Sequence, residues 1–425
     1  MGTKKKKYDW KIGHPLPFLD EHSQTKHDLV AEYIKRYVEV YFRKAQVETL
    51  PISIVDGFAG GGRYRNRLTD DISDGSPFLI FESIKEAAIR ANVDRKKPRR
   101  VNADYYFVEK LEPHIDFLEN EIKHSSYRSG LGSNIFLVNE AFEDAAKDIV
   151  ARIKARNRAQ RAIFILDQYA YKDVPLPLVR KILTTLKNSE VILTFNFDAL
   201  QSYLTDSERH RSALQRIGLD KYIDWQRIAY LKEGGAWKKA IQEQLANAIF
   251  GASGAKHMTL FFVTPKKGWT YWLVHLSKVY KARDVMMELH WKYSNSSSLG
   301  FEHFLNEGIF SLGYQSIETP GQGSFAFDST FDFSAESEKR CISSLSRDIP
   351  RLLCDFRKEV TFSELTDQIG SNTPASEKQI RGAIQESLSR KDIIVESEDR
   401  GLRKAASRIV GTDRISYRQD SLIFL

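Results

Sequence analysis

The sequence predicts an α/β fold: a doubly wound, seven-stranded, mostly parallel sheet with a helical insertion, followed by a C-terminal winged helix. Three observations carry this. Short β-branched and aromatic runs alternate with longer amphipathic ones between about residues 52 and 278. The first of these runs ends in an acid and a glycine-rich turn. Beyond about residue 335 the pattern changes to helix, turn, helix and hairpin.

The strand runs are Ile52–Val55, Tyr105–Val108, Ile135–Val138, Ala162–Leu166, Val191–Leu193, Leu260–Val263 and Tyr271–Val274. Helical spacing fills the gaps, as in Ser76–Val93, where Phe78, Phe81, Ile84 and Ala88 share one face. Alternating strands and helices imply a sheet covered on both faces. The stretch 199–257 is too long for one connection and reads as an inserted helical cap, with a helix over 236–249. Residues 294–298 form a polar break, and 316–334 are rich in Gly, Ser, Thr and Asp. Further on, Phe362–Ile369 and Ser376–Ser389 read as helices, the second capped by Ser376 with Glu377 in its first turn. Ile393–Val395 and a strand near 415–425 complete the winged-helix outline. The expected organisation is a tail (1–21), a core (22–300), a linker (301–335) and a winged helix (336–425).

At 425 residues the chain suits two or three domains and can bury a core without staples. Two cysteines, Cys341 and Cys354, exclude a disulfide framework and a four-thiolate zinc site, which points to a reducing, cytoplasmic setting. No histidine pair has metal-ligand spacing, so no structural metal is expected. No apolar run approaches the roughly 18 residues of a membrane span. The basic start, Lys4–Lys7, has no apolar stretch behind it and is not a secretory signal.

A net charge of +8 is compatible with nucleic acid. The winged-helix region, 343–425, is nearly neutral, yet in segment 400–418 Arg400, Arg403, Lys404, Arg408, Arg414 and Arg418 face only Asp413. Lys378 and Arg381 on the second helix are the expected groove-facing residues, with Arg403, Lys404 and Arg408 as phosphate contacts. The alternative is a protein-binding winged helix with a solvated basic hairpin. Two further basic clusters, Arg95–Arg100 and Arg152–Arg161, precede strands. On a doubly wound layout both fall at the amino ends of strands, as solvated faces or a secondary nucleic-acid surface.

The most informative stretch is Ile52-Ser53-Ile54-Val55-Asp56-Gly57-Phe58-Ala59-Gly60-Gly61-Gly62. Glycines allow a sharp turn and let backbone N–H groups approach a ligand at the carboxyl edge of the sheet. Such a turn could equally serve a dinucleotide. The order acid, two residues, Gly resembles motif I of class I S-adenosylmethionine-dependent methyltransferases. That resemblance implies S-adenosylmethionine as cofactor, with Asp56, Gly57, Phe58, Ala59, Gly60 and Gly62 beside it. Glu109 ends the second strand, where an acid can accept from both ribose hydroxyls. Asn139, Glu140 and Ala141 end the third, where the family contacts adenine. The fourth strand runs into Asp167-Gln168-Tyr169-Ala170-Tyr171. Amino-methylating relatives carry two prolines there, both missing here. Asp167 and Gln168 with Tyr169 or Tyr171 are the expected target-binding group.

A narrower resemblance rests on His22–His27 opening a helix through Phe42, Asp56–Gly62, Arg63-Tyr64, Gly75-Ser76-Pro77 and Ala282-Arg283-Asp284-Val285-Met286. These residues, in this order over 8–293, resemble the three-Cys-motif partner protein family (TcmP). The family implies a methyltransferase-like core and a radical-SAM-like partner bearing a three-cysteine motif. His22 and Lys26, four apart on one helix face, are expected at the cofactor or substrate mouth, and Lys278 and Arg283 near the same cleft. Three functions remain open: a methyltransferase acting on nucleic acid, an inactive adaptor, and a winged-helix regulator.

Overall fold

The computed structural model describes residues 8–418 apart from 45, 68, 169–172, 197–203, 205–206, 227, 229–236, 264–270 and 295–332. All seven expected runs are strands of one sheet: β1 (Thr49–Asp56), β4 (Arg100–Val108), β5 (Ile135–Val138), β6 (Arg161–Leu166), β7 (Asn188–Asn196), β8 (His257–Val263) and β9 (Tyr271–Ser277). Their order is β5-β4-β1-β6-β7-β9-β8. β1, β4, β5, β6 and β7 run parallel, and β9 is antiparallel to β7. Helices α1 (Glu21–Tyr41), α2 (Ser76–Arg90), α3 (Glu112–Lys123), α4 (Phe142–Arg156) and α5 (Leu176–Thr185) alternate with these strands. Near-continuous burial along β1 and β6 is what a sheet covered on both faces requires. This is the class I methyltransferase arrangement of the sheet. The chain leaves β1 in one direction to β4 and β5, and β6 lies on the other side, so the switch point falls between the carboxyl ends of β1 and β6.

A hairpin after the glycine turn, β2 (Arg63–Arg65) and β3 (Ile72–Asp74), was not expected. The N-terminal segment lies along it: Phe18 bridges Arg65, the Leu19 N–H donates to the Arg65 carbonyl, and the Arg65 N–H donates to that of Pro17. The insertion contributes α6 (Glu208–Arg216) and α7 (Trp237–Ser253).

By its contacts the chain divides into two compact units. The first is Met1–Tyr222, Ile249–Ala255 and Leu260–Lys278; the second is Ile223–Ala248, Lys256–Thr259 and Val279–Leu425. These bounds run differently from the expected core and winged helix, and most of the expected linker lies outside the described residues. The second unit holds α8 (Tyr280–Ser294), α9 (Ala335–Phe356), α10 (Phe362–Ile369), α11 (Glu377–Arg390) and the sheet β10 (Val360–Thr361), β12 (Arg414–Tyr417), β11 (Ile393–Glu396). This is a winged helix. Capping boxes at Thr361/Glu364 and Ser376/Gln379 start α10 and α11. Leu345, Ile349, Leu365, Ile380, Ile384 and Ile415 form its core. The expected strand near 415–425 is shorter, its last seven residues lying outside the described part.

Candidate functional site

Asp56 and Asp167 come together at the switch point. Asp56 is the last residue of β1 and 1% exposed. The Phe58 N–H donates to one carboxylate oxygen at 3.1 Å and the Ser76 hydroxyl to the other at 2.5 Å. Burial, with the nearby charges of Asp167 and Glu109, raises the Asp56 carboxyl to about 7 against the opposing pull of those two donors. The glycine turn folds back under it. The Gly57 N–H donates to the Ile165 carbonyl and the Ala59 N–H to that of Val108, and Gly60 and Gly62 adopt φ of 57° and 77°. A Cβ on Gly57 would meet Leu166 at 2.7 Å and Phe142 at 2.9 Å. Glycine is therefore required both for the turn and for packing between β1 and α4.

Asp167 follows β6 and faces α1. The Lys26 ammonium donates to both carboxylate oxygens at 2.6 Å. Burial alone would raise Asp167, but the Lys26 charge and hydrogen bonds more than offset it and hold the carboxyl below its ordinary range. A small cavity of about 50 Å³ lies here, lined in part by Lys26, His27, Asp56, Tyr64, Asp167 and Thr194. His27 sits in this wall with its Nδ1 unpartnered. Burial lowers its imidazole to about 4, Asp167 pulling the other way and Lys26 adding to the drop, so the ring is neutral at pH 7.

Glu109 follows β4, and its N–H donates to the Val138 carbonyl. Burial pushes its carboxyl up, but His114 and the N–H groups of Leu111 and Gly60 outweigh that and hold it low. The Asn139 amide donates to the Glu109 carbonyl, Ala141 is the N-cap of α4, and Glu140 is exposed. Gln168 braces the loop instead of lining the cavity: it donates to the Thr194 carbonyl and accepts from the Val174 N–H. Tyr169 and Tyr171 lie outside the described residues, and His22 is the second residue of α1 with its side chain outside them.

Sequence reasoning did not single out Trp10 or Thr194 for this site, and used His27, Tyr64 and Ser76 only as parts of motifs. Trp10 is 4% exposed and lies on the glycine turn, where a Cβ on Gly61 would stand 2.3 Å from its ring. Its Nε1–H donates to the Arg63 carbonyl, and Tyr64 and His114 contact it edge-on at 5.2 and 5.0 Å. Asp9 reaches His114, so the strap 8–20 closes over the Gly60–Glu109 side. Nothing in the spacing of an isolated tryptophan forecasts this. Trp10→Ala should remove about 3 kcal/mol of local packing. The Leu19 and Arg65 amides should then exchange hydrogen at least tenfold faster while β1 and β6 stay protected. Unchanged exchange at Leu19 would show that Trp10 does not hold the strap.

In the winged helix the expected nucleic-acid residues are mostly engaged internally. Arg403 pairs bidentately with the buried Asp413, and Arg400 and Arg414 both pair with Glu359. Arg381 turns inward onto Glu377 and the carbonyls of Ala406 and Ile409, and Lys378 pairs with Glu338. Lys404 and Arg408 are exposed. Arg283 does not line a cleft. It is 1% exposed and its guanidinium holds the carbonyls of Thr373 and Ala375. Asp284 accepts from the Glu377 N–H at 2.6 Å, capping α11, and the Trp291 indole donates to Pro374. The Ala282–Met286 stretch thus clamps the turn before α11, the end that reads base edges in helix-turn-helix proteins.

Fold and site together define a class I methyltransferase-like core joined to a winged helix. The family model "GMT-like wHTH domain" matches residues 313–400. Among solved structures the chain is similar to a protein from Legionella pneumophila strain Philadelphia 1 (10% identity, 63% of this chain and 92% of that one, TM-score 0.35). It is similar to the precorrin-6y C5,15-methyltransferase of Geobacter metallireducens (10%, 57% and 87%, TM-score 0.22). A third is the plantazolicin methyltransferase BamL, solved with S-adenosylhomocysteine (10%, 60% and 88%, TM-score 0.24). No curated protein matches the chain. The core assignment rests on the strand order itself. Among the described residues no three His, Cys, Asp or Glu side chains gather to hold a metal, and no helix is long and apolar enough to cross a membrane.

Proposed function

We propose that the chain is an S-adenosylmethionine-dependent methyltransferase. The observation that carries this is a buried acid and glycine turn ending β1, beside Glu109 ending β4, in a sheet of class I order. The donor set suits the cofactor. Glu109 is the acceptor for ribose hydroxyls. Asp56 puts a carboxyl group where the cofactor carries positive charge, and the Lys26–Asp167 pair, closed on itself, borders it as a polar wall. When bound, the cofactor supplies a methyl group already activated by its sulfonium. The chain's task is then alignment, which the Asp56–Asp167 crevice provides. His27, neutral at pH 7 and with Nδ1 unpartnered, is too weak a base to take a proton there and offers the crevice a hydrogen-bonding group instead. The resemblance to the three-Cys-motif partner family makes a radical-SAM-like protein the expected companion, while nucleic acid as acceptor rests on the net charge of +8 and the exposed Lys404 and Arg408 of the wing.

One observation favours an adaptor instead. Asp167 is already saturated by Lys26, and the prolines that fix a target amine are absent. Titration calorimetry with S-adenosylmethionine and S-adenosylhomocysteine separates the two. Micromolar binding lost in Asp56→Ala is expected, with Asp167→Ala keeping binding and losing labelled-methyl transfer. Full transfer by Asp167→Ala would remove it from the catalytic group. No binding by the chain alone or with its partner protein would leave the adaptor.

A further inference from the structure

We propose that the amino-terminal edge of the sheet, opposite the glycine turn, is a binding surface for nucleic-acid backbone. The proposal deepens the nucleic-acid half of the function above and rests on that half only.

The parallel register puts the segments before β4, β1, β6 and β7, four adjacent strands, on one edge. Each brings cations. Arg95, Lys96 and Arg100 come with β4, and Arg43 and Lys44 with β1. Lys154 and Arg158 come with β6, and Lys187 with β7. All are exposed and none has an ion-pair partner among the described residues. Of the acids in these segments, Glu48 is held by Lys97 at 3.6 Å and Asp104 by Arg156 at 3.0 Å, and Glu190 is buried against Tyr33 and His275, which leaves Asp94 exposed.

The edge is also braced. Arg99 is 7% exposed and its guanidinium donates to the carbonyls of Phe42 and Lys44, tying the β1 and β4 loops together. The Arg100 N–H donates to the Glu48 carbonyl at 2.9 Å. Asn188 donates to the Ala159 carbonyl at 2.7 Å, joining the β6 and β7 turns. Burying a guanidinium to fix a row of like charges works against folding, and an anionic partner would offset it.

Four strands at about 4.8 Å spacing make the row about 15 Å wide, which is the length of duplex carrying about four phosphates per strand. Half of the cations are arginines, whose forks fit phosphate oxygens. Contact with the backbone alone makes the binding sequence-tolerant. β1 separates this edge from Asp56 by about 25 Å. The surface therefore anchors a part of the strand distant from the methylated atom.

The test uses the full chain, a labelled single-stranded RNA and a DNA duplex, read by anisotropy from 50 to 200 mM salt. Arg95→Glu/Lys96→Glu/Lys154→Glu/Arg158→Glu should weaken binding at least tenfold and flatten the log–log salt slope by about 3 to 4. Its S-adenosylhomocysteine titration and unfolding midpoint should match the wild type. Lys404→Glu/Arg408→Glu on the wing should change binding less than threefold. Unchanged affinity and slope in the first variant, or loss confined to the wing variant, would overturn the proposal. So would phosphatidylserine vesicles binding where neither nucleic acid does, since Ile89 and Val93 nearby are exposed and would suit a membrane. Patch-dependent nucleic-acid binding without any cofactor binding would defeat the methyltransferase reading and leave this one standing.

Discussion

Asp56→Asn is expected to stabilise the protein at neutral pH and to remove a pH dependence between about 4 and 7. The carboxyl is nearly inaccessible and raised to about 7 by burial, then by Asp167 and Glu109. In the unfolded chain it titrates near 3.8. The folded value is the higher one, so its stabilising contribution is complete below about pH 4 and is lost as pH rises through 7. A shift of this size corresponds to about 4 kcal/mol. The amide keeps an acceptor for the Phe58 N–H and cannot ionise, so the variant's advantage over wild type should grow from pH 5 to pH 8. Denaturant unfolding at four pH values measures it. Parallel wild-type and variant profiles would show that Asp56 ionises freely in the fold. The same carboxyl links folding to the proposed cofactor. A bound cation favours its ionised form, so binding near pH 6.5 should release up to about three-quarters of a proton. Calorimetry in buffers of different ionisation enthalpy reads that number, which Asp56→Asn should bring to zero.

How much of this was legible depended on how locally each feature is encoded. The seven strand runs and the Asp56 turn were readable because alternation of apolar runs and a glycine cluster are properties of neighbouring residues. Glu109 was readable because a strand end fixes its place. What failed to show was set by the partner across space. The excess of cations in segment 400–418 looked free in the sequence, yet Arg403 is committed to Asp413 and Arg400 to Glu359, forty-odd residues earlier. Arg283 read as a cleft residue because it follows the last strand, whereas it turns to the carbonyls of Thr373 and Ala375. Helix α9 holds Pro350, which interrupts a sequence-level helix signal. Strands β2 and β3 have three residues each, too short for periodicity, and pair with each other while Phe18 bridges Arg65 of β2. Trp10 is the extreme case: its contact with the glycine turn joins residues about fifty positions apart, which no local pattern encodes.

Lys26→Met should cost more than loss of one ion pair suggests, because it strands Asp167. The Lys26 side chain is 8% exposed and that of Asp167 35%, so water screens part of the exposed carboxylate. Breaking a fully buried pair costs about 3–5 kcal/mol; with this exposure about 2–3 is expected. The pH dependence gives the cause away. In the wild type Asp167 is held low by Lys26, so its contribution is present above the unfolded value and lost only as pH falls through the folded one. Without the ammonium, burial is the first remaining influence and moves the carboxyl up. The variant should then be most impaired at pH 7 and recover toward pH 5, opposite to the acid-side loss that this ion pair gives the wild type. Lys26→Met/Asp167→Asn should regain most of the stability, since neither charge is left buried, with a coupling energy of about 1–3 kcal/mol. It should not regain methyl transfer. If the single and double variants are equally unstable, the two residues do not act as a pair. If the double variant transfers methyl groups at the wild-type rate, the pair is a brace for α1 against β6 and the catalytic crevice begins at Asp56.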